Sequence, residues 1–213
     1  MKTDDLIAAL SADVPPAPAG AIDRRLLLMM VPAAGLVMTG VIFWLGLRGD
    51  LTVAVTGPVF WAKAAYTTLI ATTGFWLLDR LGRPGADVRP PLRVLAATLA
   101  TGLVGAGILL ATAADGDRPT LLMGSSAHVC PTNILILSVL AAPFIFLAAR
   151  RFAPVRPMAA GAAAGLLTAG LAATLYGLHC PEVSAVFVAV WYSLGMALAA
   201  GLGAILGRFT FRW

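Results

Sequence analysis

Six apolar runs, each about as long as a bilayer is thick, limit what this chain can be. They fall at 26–47, 58–78, 92–113, 130–149, 157–178 and 184–206, and none contains an acidic residue. About 20 apolar residues in a helix cross roughly 30 Å of hydrocarbon. Lipid offers the backbone no hydrogen-bond partner, so a helix must satisfy its own polar groups. The expected fold class is therefore all-α: a polytopic membrane bundle of six transmembrane helices with short hairpin loops. Composition agrees. Of 213 residues 60% are hydrophobic and 12% charged, about half the roughly 25% usual for soluble domains. So little charge cannot cover a separate soluble domain. Most enzymes with a globular catalytic domain are excluded, and so is general disorder.

The expected organisation is an N-terminal segment at 1–25, a transmembrane domain at 26–206 and a tail at 207–213. The N-terminal segment carries Asp4, Asp5, Asp13 and Asp23 and the close prolines Pro15, Pro16 and Pro18. A cleavable signal peptide starts basic and turns apolar sooner, so the first span is expected to stay as an anchor. Six spans put both termini on one side. With that topology twelve Lys and Arg fall on the terminus side and two, Arg48 and Arg118, on the other. By the positive-inside rule both termini face the cytoplasm of a bacterial inner membrane. The same bias accounts for the net charge of +5, and no nucleic-acid partner is expected.

Gly161 with Gly165, and Gly203 with Gly207, form small-residue motifs that let helices approach closely. Trp44, Trp61, Trp76 and Tyr176 stand near span ends, as interfacial aromatics do. Lys63 lies inside a span, near its outer end, whereas Arg93 stands at the very start of another on the terminus side. The Lys63 ammonium is expected to snorkel to the interface.

The scarce residues are the informative ones. The chain has two Cys and two His, and all four fall in or beside outer segments: His128 and Cys130 before the fourth span, His179 and Cys180 between the fifth and sixth. Disulfides form and persist on that side of the membrane. Three readings stand open. The pair is a structural staple, if its Cα atoms come within about 4.4–6.8 Å. Alternatively Cys130, Cys180, His128 and His179 are a thiol or soft-metal sensor. Or they serve a small membrane thiol-redox enzyme or metal transporter. The last reading lacks a CxxC pair and lacks a carboxylate or other strong metal ligand at mid-membrane. No resident cofactor is required; a transient soft metal at the Cys/His cluster fits the sensor reading.

The opening Lys2-Thr3-Asp4-Asp5-Leu6-Ile7, the Phe60-Trp61-Ala62-Lys63 segment, and the Cys-Pro pairs of His128-Val129-Cys130-Pro131 and Leu178-His179-Cys180-Pro181-Glu182-Val183-Ser184 together resemble the NrsF family. These are six-span bacterial membrane anti-sigma factors, and the resemblance covers essentially the whole chain. It implies a sigma factor of the extracytoplasmic-function type as partner, and sensing of heavy-metal or oxidative stress by the periplasmic pair, Cys130 and Cys180 here. The N-terminal residues fit that role. Thr3 can cap a short helix with Asp4 and Asp5 in its favourable first turn. Leu6, Ile7 and Leu10 then share one face, suited to a partner's groove. The prolines read as a semi-rigid spacer to the membrane.

Overall fold

The computed structural model describes residues 3–12 and 20–211. The proline spacer and Asp13 lie outside them. Every regular element among the described residues is helical. In chain order they are α1 (Thr3–Ala12), α2 (Ala21–Gly40) with a π turn at Val41–Leu45, α3 (Leu51–Ala54), α4 (Pro58–Leu81), α5 (Arg89–Thr112), α6 (Arg118–Met123), α7 (Cys130–Arg150), α8 (Pro157–Tyr176), α9 (Ala185–Phe187), a second π turn at Val188–Tyr192, and α10 (Ser193–Thr210). Proline occupies the first or second position of α4, α5, α6, α7 and α8. There its fixed φ suits a helix start and its missing N–H removes a donor that would be unpaired anyway.

Five helices are long and apolar enough to cross a membrane: Ile22–Leu45, Arg89–Thr112, Cys130–Arg150, Pro157–Tyr176 and Ala185–Thr210. The sixth expected span is present as a helix, α4, but is not among the five. Lys63, the threonines Thr67, Thr68, Thr72 and Thr73, and Asp79 and Arg80 dilute its apolar content. It is nevertheless 24 residues long, about 36 Å at 1.5 Å per residue. Its polar groups are paired within the bundle. Thr67 donates to the Lys63 carbonyl at 3.1 Å, Thr73 to the Leu69 carbonyl at 2.7 Å, and Thr174 of α8 to Thr67 at 2.9 Å.

The bundle is built around α8. Its sequence is almost all Ala, Gly and Leu, and twelve of its positions are buried, Gly161, Gly165, Leu167, Gly170 and Tyr176 among them. α4 runs antiparallel along it. Lys63 lies beside Gly177, and the backbones meet at Ala71 with Gly170 and at Gly74 with Leu167. A Cβ on Gly170 would fall 2.7 Å from the Ala71 backbone, and one on Gly74 would fall 2.7 Å from the Leu167 nitrogen. On another face the two small-residue motifs find each other. Gly161 packs on the Gly203 carbonyl and the Gly207 Cα, and Gly165 on the Ala199 carbonyl. Without a hydrophobic drive between helices in lipid, such close contact is the main attraction available.

α5 is peripheral. Only Pro91, Thr98 and Ala106 are buried on it, while Leu103, Val104 and Ile108 are exposed, as a lipid-facing helix requires. The expected tail at 207–213 is not free over its first part. α10 continues through Thr210, and Phe211 is buried with its ring stacked on Phe146 at 5.4 Å. Tyr176, expected at the interface, is buried too, whereas Trp44 and Trp61 are exposed.

The α8–α10 contact yields a direct expectation. Gly161→Leu should destabilise the detergent-solubilised protein by about 3 kcal/mol or more, because neither backbone can yield to the new side chain. Gly201→Leu, whose Cβ would meet nothing within 4 Å, should leave the melting temperature unchanged. Equal melting curves for the two variants would contradict this packing.

Candidate functional site

The site is built on the loop between Gly177 and Ser184, at the end of the bundle away from the termini. This loop has no regular hydrogen-bond ladder of its own, so neighbouring segments must satisfy its carbonyls. Lys63, near the start of α4, donates to the Cys180 carbonyl at 3.1 Å and to the Glu182 carbonyl at 3.0 Å. Arg48 donates to the same Cys180 carbonyl at 3.3 Å, and its backbone N–H reaches the Leu178 carbonyl at 3.1 Å. His179 meets the Gly46 carbonyl through Nδ1 at 2.8 Å. A carbonyl only accepts, so that nitrogen carries the proton.

The loop is fastened on its other side by Glu182. The carboxylate accepts from the Ser125 N–H and hydroxyl, both at 2.7 Å, and from the Ser126 hydroxyl at 3.0 Å. Burial alone would raise the Glu182 carboxyl, but these donors hold it below the ordinary carboxylate range. Gly124, with φ at +51°, leaves the space this carboxylate fills. Ser184 and Trp191 donate to the Leu121 and Leu122 carbonyls at 2.7 and 2.8 Å. Three otherwise separate pieces (the α2–α4 connection, the start of α4 and the α6–α7 connection) are thus tied to one loop.

Cys130 and Cys180 meet beneath it. Cys130 opens α7, and its burial and that of Cys180 are complete. Both are free thiols within the same buried cluster, near enough that each shifts the ionisation of the other. The neighbouring Cys130 thiol holds Cys180 below the ordinary thiol range, against the effect of burial, and the Lys63 ammonium acts in the same sense. Two buried tyrosines, Tyr176 and Tyr192, pack in the same cluster as the two cysteines, and among the described residues the Tyr192 hydroxyl has no hydrogen-bond partner. Their rings lie 5.7 Å apart, and the Lys63 nitrogen sits 5.6 Å from the Tyr192 centroid.

Several expectations change here. Lys63 does not snorkel: it is 4% exposed, because two carbonyls and a ring face replace the water it would otherwise seek. The two histidines do not join the two cysteines. His128 is exposed, and His179 is turned to Gly46. Among the described residues no three of His, Cys, Asp and Glu gather where they could hold a metal ion. A soft metal at this place would have two sulfurs and no preformed third ligand. Arg48, Glu182, Ser125, Ser126 and Tyr192 were not singled out as functional by sequence. Arg48 carried a signal, as one of two cations expected on the outer side. α1 forms as expected, and all of Thr3, Asp4, Asp5, Leu6, Ile7 and Leu10 are exposed on it.

Comparison with known proteins bears on the same chain from end to end. The family described as "Negative regulator of sigma F" matches residues 10–213. The chain is 40% identical over 215 residues to the anti-sigma-F factor NrsF of Caulobacter vibrioides, covering 100% of both chains. It is 36% identical over 214 residues to a probable anti-sigma-F factor NrsF of Azospira oryzae, again covering 100% of both. No solved structure matches it. These are regulators and not catalysts, and the chain belongs to the NrsF family.

Proposed function

We propose that the chain is a membrane anti-sigma factor that sequesters a sigma factor of the extracytoplasmic-function type and releases it when Cys130 and Cys180 are modified. The observation that carries the reading is a buried pair of free thiols under a fastened loop, in a chain whose bundle is preceded by an exposed, acidic and apolar helix. The names of the relatives support the partner class.

The topology of this reading has six spans, with α4 as the second. α4 lies antiparallel along α8 from Lys63 beside Gly177 to Gly74 beside Leu167, so it traverses the thickness that α8 traverses. Both termini then face the cytoplasm of the inner membrane, and the cysteines lie at the periplasmic end.

Oxidation joins the two sulfurs. Each thiol loses its proton, and two electrons pass to a periplasmic oxidant. A soft metal ion would instead displace the protons and bridge two thiolates. Either event alters the contact between the start of α7 and the loop after α8. α7 is rigidly packed there: Gly195 stands 3.1 Å, at its Cβ position, from Pro131 and Ile134. The same helix ends at Arg150 on the far side, where Phe146 stacks on Phe211. α7 is therefore the element able to carry a shift across the membrane. To empty a mostly occupied partner site the two states must differ by several kcal/mol, about 5.5 for a 99:1 reversal.

α1 is the proposed docking element. Leu6, Ile7 and Leu10 are 42%, 59% and 66% exposed, with no cover from the bundle. Ten residues make a marginal helix in water, and a partner groove supplies the missing burial.

Two outcomes check this account. Cys130→Ser with Cys180→Ser should abolish induction of a sigma-dependent reporter by cadmium or peroxide, with repression in unstressed cells intact; induction at the wild-type level would contradict the sensing role. Leu6→Ala with Ile7→Ala and Leu10→Ala should lower co-purification of the sigma factor by about tenfold or more, as loss of apolar anchors does. Undiminished recovery would move the docking site to the basic loops.

A further inference from the structure

At the end of the bundle shared with the termini, the α4–α5 loop and the 151–156 segment enclose a concavity of about 550 Å³. Arg80, Arg83, Arg89 and Arg156 line it, with Asp87 as the one lining carboxylate. Their states differ. Arg83 is spent on Asp79, at 2.6 Å, and on Asp23, at 3.2 Å. Those pairs fasten the loop to α4 and α2. Asp87 accepts the Arg89 backbone N–H at 2.9 Å and so closes the start of α5. Arg80, Arg89 and Arg156 have no carboxylate partner among the described residues. Three guanidiniums facing one cavity repel each other, an arrangement that is relieved by an anion they can grip in a bidentate way.

The surroundings say what sort of anion. Arg80 lies over the Trp76 ring, 6.0 Å from its centroid. Trp near the end of a long helix marks the headgroup level, so the arginines stand where lipid phosphates lie. Leu81 and Val88 form apolar wall, and Val155 at the rim is 78% exposed. A free phosphate has no use for that apolar rim; an acyl chain does.

We propose that this concavity binds the phosphodiester headgroup of an anionic phospholipid, gripped by Arg80, Arg89 and Arg156, with Val155 against the first part of its acyl chain. Basic pockets at the ends of transmembrane helices take such headgroups elsewhere. The site is independent of the cysteines and of partner docking at α1.

The test uses the full chain in neutral detergent, with melting temperature followed during titration with phosphatidylglycerol, phosphatidylcholine or inorganic phosphate. Phosphatidylglycerol should raise the melting temperature saturably, and the other two should not. Arg80→Gln with Arg89→Gln and Arg156→Gln should weaken the apparent affinity by about tenfold or more, while Arg118→Gln, at the other end, keeps it. Should the triple variant not fold, Arg156→Gln alone, on an exposed loop, is compared by native mass spectrometry of retained lipid and should retain less. Equal effects of the two lipids would overturn the proposal, and so would an equal effect of inorganic phosphate, which would make this a free-phosphate site. A triple variant that keeps its lipid response and loses the sigma factor would also overturn it, and would assign the arginines to the partner.

Discussion

The end of the bundle that carries the cysteines depends on one buried ammonium. Among the described residues Lys63 has no ion-pair partner; it is held by the Cys180 and Glu182 carbonyls and the face of Tyr192. Taking a charge out of water is costly unless it is fully hydrogen-bonded. The loop from Gly177 to Ser184 is the same bargain seen from the other side, since its carbonyls need donors. Each satisfies the other, and together they decide where Cys180 sits. Arg48 reinforces the joint on one side and Glu182 extends it to Ser125 and Ser126 on the other. The beginning of α7, and with it Cys130, is thereby drawn against Cys180.

The inner architecture follows from a different constraint. α8 is so rich in Ala and Gly that its neighbours approach to backbone contact, α10 on one face and α4 on another. That closeness leaves little room for independent motion of these three helices. A change at the cysteines is therefore more readily expressed by α7, which touches the loop at one end and Phe211 at the other through Phe146. The two ends of the bundle have different chemistry: a fastened loop over two buried thiols at one, and an arginine-lined concavity at the other.

Much of this was legible in the sequence because its strongest signals are local. Apolar runs mark helices, prolines mark their starts, and the paired glycines mark where helices touch. The runs did not reveal that α4 differs from the rest. Its threonines and Lys63 look like dilution in one dimension and become a satisfied polar seam only when α8 lies alongside. The soft ligands were found, but their grouping was overread. Sequence proximity placed His128 and His179 with the cysteines, whereas the loop turns His179 to Gly46 and leaves His128 outside. Arg48 and Glu182 act through contacts more than fifty residues away along the chain, as Tyr192 does toward Lys63, and no local pattern records them. The family resemblance supplied the class of partner, which no spacing of residues could.

The most direct test of the account is the reactivity of Cys180 when Lys63 is changed. Alkylation of Cys180 by a membrane-impermeant reagent, followed by mass spectrometry across a range of pH, separates access from ionisation. In Lys63→Met the loop loses two charged hydrogen bonds, so the limiting rate at high pH should rise about tenfold or more. The ammonium that favours the thiolate is also gone, so the midpoint of the profile should move to higher pH. Lys63→Arg should fall between the two. A Lys63→Met profile that overlays the wild type in both limiting rate and midpoint would contradict the claim that this ammonium holds the cysteine loop.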